Sequence, residues 1–272
     1  MGYLGAVVGL GQRLLLWPMI ALFPARRQSL VRAWLRAHAR GTLALARVLA
    51  DVRVRVAGAV PAESCVVVMN HQSVLDIPIG LALVPGPYPL IPTRDRYRRG
   101  IPGVSPLARL ARFPFVAQGR ALTREELRAL LAAAEAVARG EQSLLIFPEG
   151  HRTRDGHIGP FMKSGLRLVL KRARRPVYCV VTDGVSDAGA AQARTFADAL
   201  TRFAGTRVRA TVLGPFPPPE RADAAVDAFI DLLHARMTAA LAQLRGSDGT
   251  PRGHAPGAEP APPFPADVVA AG

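Results

Sequence analysis

Residues 65–76 read CVVVMNHQSVLD, and this stretch decides the fold. The uninterrupted apolar run at 65–69 favours a buried strand. The polar residues that follow end the strand, and Ser73 is a favourable N-cap for a helix that continues through Asp76. The stretch therefore predicts a buried strand, a polar loop that carries His71, and a helix, in that order.

The same succession recurs further along the chain. Residues 143–147 form a second buried apolar run, and a polar loop with Glu149 follows it. One helix between strands begins with Thr123 and Glu126, which together predict a capping box. Strands that alternate with helices are typical of an α/β domain with a largely parallel central sheet flanked by helices. Such domains usually bind ligands at the carboxyl ends of strands, where this alternation places His71 and Glu149.

Further segments continue this alternation of strands and helices, as their hydrophobic patterns indicate. They are a half-exposed strand at 52–56, a strand at 88–92, a basic helix at 94–111, a strand at 113–116, a helix at 161–172, strands at 177–181 and 208–213, and an amphipathic helix at 226–241.

Composition indicates how the chain is divided. It has 272 residues, half of them hydrophobic, which suits one sizeable core. We assign residues 1–50 to N-terminal membrane-associated helices, 51–245 to the α/β domain, and 246–272, rich in proline, glycine and alanine, to a disordered tail. Cys65 and Cys179 fall in apolar runs, so we expect buried thiols in a reducing, cytoplasmic setting.

The charge of the chain indicates a negatively charged partner. A formal net charge of +15 suits an anionic membrane surface, a phosphorylated substrate or a nucleic acid. The basic stretch at 94–99 would be the patch of a non-enzymatic headgroup-binding or nucleic-acid-binding protein. Charge alone does not choose among these partners.

The N-terminal segment is apolar but poorly suited to cross a bilayer. Gln12, Arg13 and Pro18 interrupt it, whereas a spanning helix takes about 20 mostly apolar residues. We predict a helix pair that dips into one leaflet on the cytoplasmic face, with Trp17 at the interface. An apolar helix packed on the domain is the alternative. Basic residues of the second helix are expected to face anionic headgroups: Arg26, Arg27, Arg32, Arg36 and Arg40.

His71 and Asp76 are a candidate catalytic pair. On one continuous helix their side chains would point about 140° apart. They meet only if His71 lies in the loop and Asp76 in the first helical turn, which is what a cap at Ser73 predicts. Asp76 would then hold one imidazole nitrogen and leave the other to take a proton. The alternative is that Asp76 only completes a capping box with Ser73.

A second motif, at residues 147–153, reads FPEGHRT and follows another predicted strand. Asn-His-x-x-x-x-Asp followed at a distance by Phe-Pro-Glu-Gly-x-Arg resembles the glycerolipid acyltransferases, most closely the 1-acylglycerol-3-phosphate acyltransferases. The resemblance covers roughly residues 52–181 and implies an α/β core preceded by a membrane-embedded helix pair. It departs from the family at His151, where threonine is usual.

The resemblance implies a role for each motif residue. His71 would be the general base and Asp76 its orienting partner. The acceptor phosphate would be bound by Arg152 and by Arg120, which lies in the block at 115–120. Guanidinium groups suit a phosphate because they can donate two parallel hydrogen bonds to it. Glu149 would repel a dianion, so we expect it to position those arginines or the acceptor hydroxyl. The predicted substrate-binding set is Asn70, Ser73, Arg120, Glu149, Gly150, Arg152 and Lys163.

The expected reaction moves a fatty acyl group from a thioester, acyl-coenzyme A or acyl carrier protein, to the free hydroxyl of lysophosphatidic acid. We expect no metal and no resident cofactor. Another lysolipid, such as a lyso-ornithine lipid or a lysophospholipid with a larger headgroup, is the alternative acceptor. His151 with Asp155 is a rival histidine and aspartate pair in the same loop.

Overall fold

A computed structural model describes residues 9–101, 103–117, 122–153, 155–184 and 201–246. The strands are β1 (Arg53–Ala57), β2 (Val66–Met69), β3 (Pro89–Leu90), β4 (Thr93–Arg94), β5 (Phe115–Val116), β6 (Ser143–Ile146), β7 (Val177–Asp183) and β8 (Arg207–Phe216). The helices are α1 (Trp17–Leu22), α2 (Arg27–Ala50), α3 (Asp76–Leu83), α4 (Val104–Leu110), α5 (Arg124–Ala138), α6 (Lys163–Ala173) and α7 (Asp223–Gly246).

The central sheet has six strands in the order β1-β8-β7-β2-β6-β3. Its neighbouring strands pair in parallel, except that β7 and β8 are antiparallel. A separate two-stranded parallel sheet joins β4 to β5. The prediction of an α/β fold with a largely parallel central sheet flanked by helices is confirmed.

The core lies on both faces of the central sheet. Successive side chains of β2 point to opposite faces, so Val67 and Met69 pack into one cluster while Val66 and Val68 pack into the other. Helices α2, α3 and α4 contribute to the first cluster, and α5, α6 and α7 to the second. All four β2 residues are fully buried, which explains why this strand reads as an unbroken apolar run.

The predicted basic helix at 94–111 is wrong in its first half. Arg94 ends β4, which pairs with β5, and a 3₁₀ turn at Asp95–Tyr97 follows. Gly100 and Gly103 then adopt positive φ angles of +87° and +76°, which interrupt a right-handed helix, so α4 begins only at Val104. The strand predicted at 113–116 belongs to the small sheet rather than the central one.

The N-terminal helices pack on the domain along one face. A π-helical segment at Gln12–Leu16 precedes α1, and α2 buries Val31, Leu35 and Ala39 at helical spacing. Arg36 does not face outward as predicted, because its guanidinium donates to the carbonyls of Pro85 and Gly86. Among the described helices, none is long and apolar enough to cross a membrane. The predicted tail lies outside the described residues, apart from Gly246.

Candidate active site

The histidine and aspartate of the first motif meet at the start of α3. His71 Nδ1 lies 3.1 Å from Asp76 Oδ2, and Asp76 is the first residue of the helix. The N-cap position is Leu75 rather than the predicted Ser73, and no side chain caps the helix. The Ser73 hydroxyl instead accepts from the Leu75 amide within the preceding turn. The predicted cap is therefore wrong, although the loop and first-turn placement that it was used to predict is observed.

The Asp76 carboxylate is fully buried and held by backbone donors. Its Oδ2 faces the imidazole and also accepts hydrogen bonds from the backbone amides of Gln72 and Ser73, both at 2.6 Å. Its Oδ1 accepts from the hydroxyl of Thr182 at 3.1 Å. These donors stabilise a negative charge that would otherwise be costly to bury. The arrangement engages Nδ1 of His71 and leaves Nε2 as the atom suited to proton transfer.

The second motif packs directly against the first. The His71 ring stacks on Phe147 with 4.3 Å between ring centroids. The His71 amide donates to Glu149 Oε1 at 2.9 Å, and its carbonyl accepts from the Thr153 amide at 2.8 Å. The imidazole nonetheless keeps 16% of its side-chain surface exposed. The histidine is thus fixed on both sides of its backbone while its ring remains reachable.

Glu149 joins two loops through their backbones. It is 2% exposed, and its Oε2 accepts from the Gly159 amide at 2.8 Å while Oε1 receives the His71 amide. Burial raises the pKa of Glu149, and the two amide donors act in the opposite direction by favouring the ionised carboxylate. These two contacts of Glu149 are with backbone amides of the loops that carry His71 and Gly159, whereas we expected contacts with arginines or an acceptor hydroxyl.

Two arginines, Arg94 and Arg152, form a basic edge at the loop of the second motif. Gly150 has a φ of +71°, and its carbonyl accepts from Arg94 Nη2 at 3.1 Å. The pKa of Arg94 is lowered by burial first and then by the positive charges of Arg96 and Arg152. Arg94 thus contacts the second motif directly, and the charge of Arg152 acts on it.

Two predicted binding residues contact other parts of the protein. Asn70 is buried, and its amide exchanges hydrogen bonds with the backbone of Thr182 at 2.8 and 2.9 Å, which joins the ends of β2 and β7. Lys163 forms an ion pair with Asp231 of α7 at 2.7 Å. Arg120 lies outside the described residues.

The rival histidine pair is not assembled in the structure. His151 is exposed, and its Nδ1 lies 3.3 Å from the Arg152 carbonyl. The Asp155 carboxylate accepts from the Thr153 hydroxyl at 2.7 Å and the His157 amide at 2.9 Å. These partners of Asp155 belong to its own loop, and His151 is not one of them.

Sequence reasoning missed Thr182, and it considered Arg94 only as part of the basic patch at 94–99. Thr182 is the penultimate residue of β7, and Arg94 is the last residue of β4. A polar residue at the carboxyl end of a predicted strand was the available signal, as it was for His71 and Glu149. Among the described residues, no group of three or more His, Cys, Asp or Glu side chains comes together as a metal site would require.

The site therefore combines a histidine that an aspartate orients, a basic edge and a partly open imidazole. A group of this kind can remove a proton from a hydroxyl that attacks an electrophile. The arginines suit a substrate that carries a phosphate.

Comparison with known proteins agrees with this chemistry. Residues 51–183 match the family model described as Acyltransferase. The 1-acyl-sn-glycerol-3-phosphate acyltransferase alpha of Ovis aries is 28% identical over 172 residues, which are 62% of this chain and 56% of that protein. The beta enzyme of Homo sapiens is 29% identical over 178 residues, 65% of this chain and 59% of that protein. The chain thus spans a little over half the length of the curated relatives that it matches.

A solved structure shares the fold. The crystal structure of the 1-acyl-sn-glycerophosphate (LPA) acyltransferase PlsC from Thermotoga maritima superposes with a TM-score of 0.58 and 21% sequence identity, and the match covers 90% of this chain and 96% of that one. The resemblance indicated by the two motifs is confirmed: over residues 51–183 this chain is similar to the glycerolipid acyltransferases, and its relatives include 1-acylglycerol-3-phosphate acyltransferases.

Proposed function

We propose that this protein transfers a fatty acyl group from a thioester, acyl-coenzyme A or acyl carrier protein, to the free hydroxyl of lysophosphatidic acid, giving phosphatidic acid. The observation that supports this most is the contact of 3.1 Å between a partly exposed His71 and a fully buried Asp76, beside the loop of the second motif. The names of the relatives support the same class of reaction.

The proposed chemistry is a direct displacement. His71 Nε2 accepts the proton of the acceptor hydroxyl while the oxygen attacks the thioester carbonyl. The Asp76 carboxylate stabilises the imidazolium that forms. When the tetrahedral intermediate collapses, the carbon–sulfur bond breaks and the proton passes from His71 to the departing thiolate, so atoms and charge balance.

The two cysteines and Ser73 are poorly suited to form an acyl-enzyme. Burial raises the pKa of Cys65 to about 11 and that of Cys179 to about 12, so both are thiols near neutral pH. The Ser73 side chain is fully buried within its turn. These features support transfer without a covalent intermediate.

A free-thiol release assay tests the proposed function. Purified protein, supplied with an acyl thioester, should release thiol rapidly with lysophosphatidic acid and slowly with acceptors of larger headgroup or with a lyso-ornithine lipid. Donor alone should give no burst of thiol, because an acyl-enzyme would be needed to produce one. A preference for a different lysolipid would correct the acceptor, and no thiol release with any acceptor would reject the function.

We also propose that Arg152, together with Arg94, binds the acceptor phosphate. Arg152→Ala should lower kcat/KM for lysophosphatidic acid by about 10- to 150-fold, because a hydrogen bond to a charged group contributes about 1.5 to 3 kcal/mol. The KM for the thioester should change little. Arg128→Ala removes an exposed arginine of α5 and serves as the control. Equal losses for both substrates would contradict a phosphate role.

The N-terminal helices are proposed to attach the protein to the cytoplasmic face of the cell membrane as a monotopic or peripheral protein. Seven apolar side chains of this segment are 42 to 72% exposed, and exposed Arg26 and Arg27 follow them. Such a surface suits the boundary between headgroups and acyl chains. The exposed apolar residues are Leu10, Leu14, Leu15, Trp17, Met19, Leu22 and Phe23.

Substitution tests this attachment without disturbing the core. Replacing Leu14, Leu15 and Leu22 with glutamine should release most of the protein from anionic vesicles, because about 0.8 kcal/mol is lost per buried methylene. The same change at Leu45, Val48 and Leu49, which are exposed near the far end of α2, is the control. High salt should weaken vesicle binding of the unaltered protein only in part. Complete release by salt alone would mean that charge is the only attraction between the protein and the vesicle, and it would contradict burial of these apolar side chains.

A further inference from the structure

Four separate parts of the chain meet around Asp183, at the end of β7. Its Oδ1 accepts from Arg245 Nε and Nη2, both at 3.2 Å, and lies 3.4 Å from Gln72 Nε2. The carbonyl of Gly156 accepts from the same two side chains, at 2.6 Å from Arg245 Nη2 and 3.1 Å from Gln72 Nε2. One shared pair of acceptors therefore holds Gln72, in the His71 loop, and Arg245, in the last turn of α7.

Gly156 provides the space that this arrangement requires. Its φ is +78°, which a residue with a side chain rarely adopts. A Cβ atom at this position would also lie only 2.7 Å from Arg245 Nη2. The loop that follows the second motif is thus shaped to receive the guanidinium of the C-terminal helix.

Gln72 connects this cluster to the catalytic pair. Its side chain is 1% exposed, and its own backbone amide donates to Asp76 Oδ2 at 2.6 Å. Because the anchored side chain and the donating amide belong to one residue, a shift of the side chain moves a donor of the Asp76 carboxylate. Asp183 is itself held from the other side by Arg209 of β8, whose Nη2 lies 3.3 Å from Oδ2.

We propose that Asp183 and Arg245 are positioning residues for the His71–Asp76 pair and act through Gln72. They contact neither the imidazole nor the Asp76 carboxylate in these hydrogen bonds, and their effect is to fix the amide that orients the carboxylate. This inference rests on the proposed function, because it concerns the same reaction. It gives the last turn of α7 a role in turnover as well as in packing.

A matched pair of variants separates positioning from packing. Arg245→Met removes the shared donor, and Arg167→Met removes a different arginine that also anchors α7, by contacts of 2.9 and 2.7 Å to Asp227. The two side chains are similarly exposed, at 35% and 37%. Both variants weaken the attachment of α7, but only Arg245→Met disturbs the support of Gln72.

We expect Arg245→Met to lower kcat by about tenfold, which is less than the roughly hundredfold that a misplacement of 1 Å can cost. The KM for each substrate should stay within about twofold of its original value, because the substrate contacts remain. Arg167→Met should keep the original kcat. Asp183→Asn, which keeps the side-chain size but removes the charge, should lower kcat in the same sense as Arg245→Met.

Hydrogen–deuterium exchange provides a measurement that is independent of turnover. The peptide that covers residues 70–75 should exchange faster in Arg245→Met than in Arg167→Met, because its anchor is lost. If the unaltered protein has no acyltransferase activity, the proposed function fails and this exchange result still decides the coupling. Unchanged kcat in both Arg245→Met and Asp183→Asn, equal kcat losses in Arg245→Met and Arg167→Met, or unchanged exchange would overturn the proposal.

Discussion

His71→Ala is expected to lower turnover by about 10²- to 10⁴-fold, because general-base catalysis typically contributes that factor. The variant removes the only group of the described site that both contacts Asp76 through one nitrogen and keeps an exposed ring to meet a substrate. The loop should keep its place, since the backbone of His71 would still bind Glu149 and Thr153. The loss of ring stacking on Phe147 costs about 0.5 to 1.5 kcal/mol of stability.

Thiol release with saturating donor and acceptor measures this effect, and circular dichroism and thermal melting report the fold. His151→Ala is the matched control, since it removes an exposed histidine from the neighbouring loop. We expect the control to retain turnover. Near-normal turnover in His71→Ala, together with an inactive His151→Ala, would move the general base to His151 and reject the assignment.

Asp76→Asn is expected to lower kcat by about 10²- to 10³-fold, within the range of general-base catalysis, while the protein stays folded. The asparagine oxygen can take the Oδ2 position and accept from the amides of Gln72 and Ser73. Its amide nitrogen would then face Thr182, whose hydroxyl can rotate to accept. The geometry is kept, but the negative charge that stabilises the imidazolium is lost. Weaker hydrogen bonds should cost about 1 to 3 kcal/mol of stability.

Kinetics and thermal melting of Asp76→Asn distinguish the effect of the carboxylate charge on turnover from the effect of the side-chain shape on folding. Asp155→Asn is the control, because Asp155 also accepts a side-chain and a backbone hydrogen bond but lies exposed in the neighbouring loop. The control should keep its kcat. If Asp76→Asn turns over normally, the carboxylate charge is not needed, and Asp76 serves only to order its turn.

Local patterns predicted most of the secondary structure. The capping box of Thr123 and Glu126 is present as expected, and the apolar run at 65–69 contains β2. The prediction of a helix failed at 94–111. Two glycines with positive φ angles divide the segment, and Arg94 pairs with β5 as part of a strand. The pairing of Arg94 with Val116 could not be read from the local pattern, because the strand partner lies elsewhere in the chain.

The site was predictable to the extent that its parts are local. His71 and Asp76 are near in sequence, and one helix start determines whether they meet. Glu149 and His71 are 78 positions apart, and Asn70 and Thr182 are 112 apart. Whether such residues meet depends on which strands are neighbours. The order β7-β2-β6 brings the ends of these three strands to one edge of the sheet.

By itself, then, the sequence determined the strand, loop and helix that carry His71 and Asp76, because hydrophobic period and turn residues act over a few positions. The tertiary structure decided which backbone amide Glu149 accepts from, that Asn70 is buried against Thr182, and that Arg245 reaches Gln72 through shared acceptors. These contacts join residues far apart in the chain, and their partners are selected by sheet order and helix docking. Hydrophobic periodicity encodes neither the strand order nor the docking of helices. It reports which face of an element is buried and not which element covers that face.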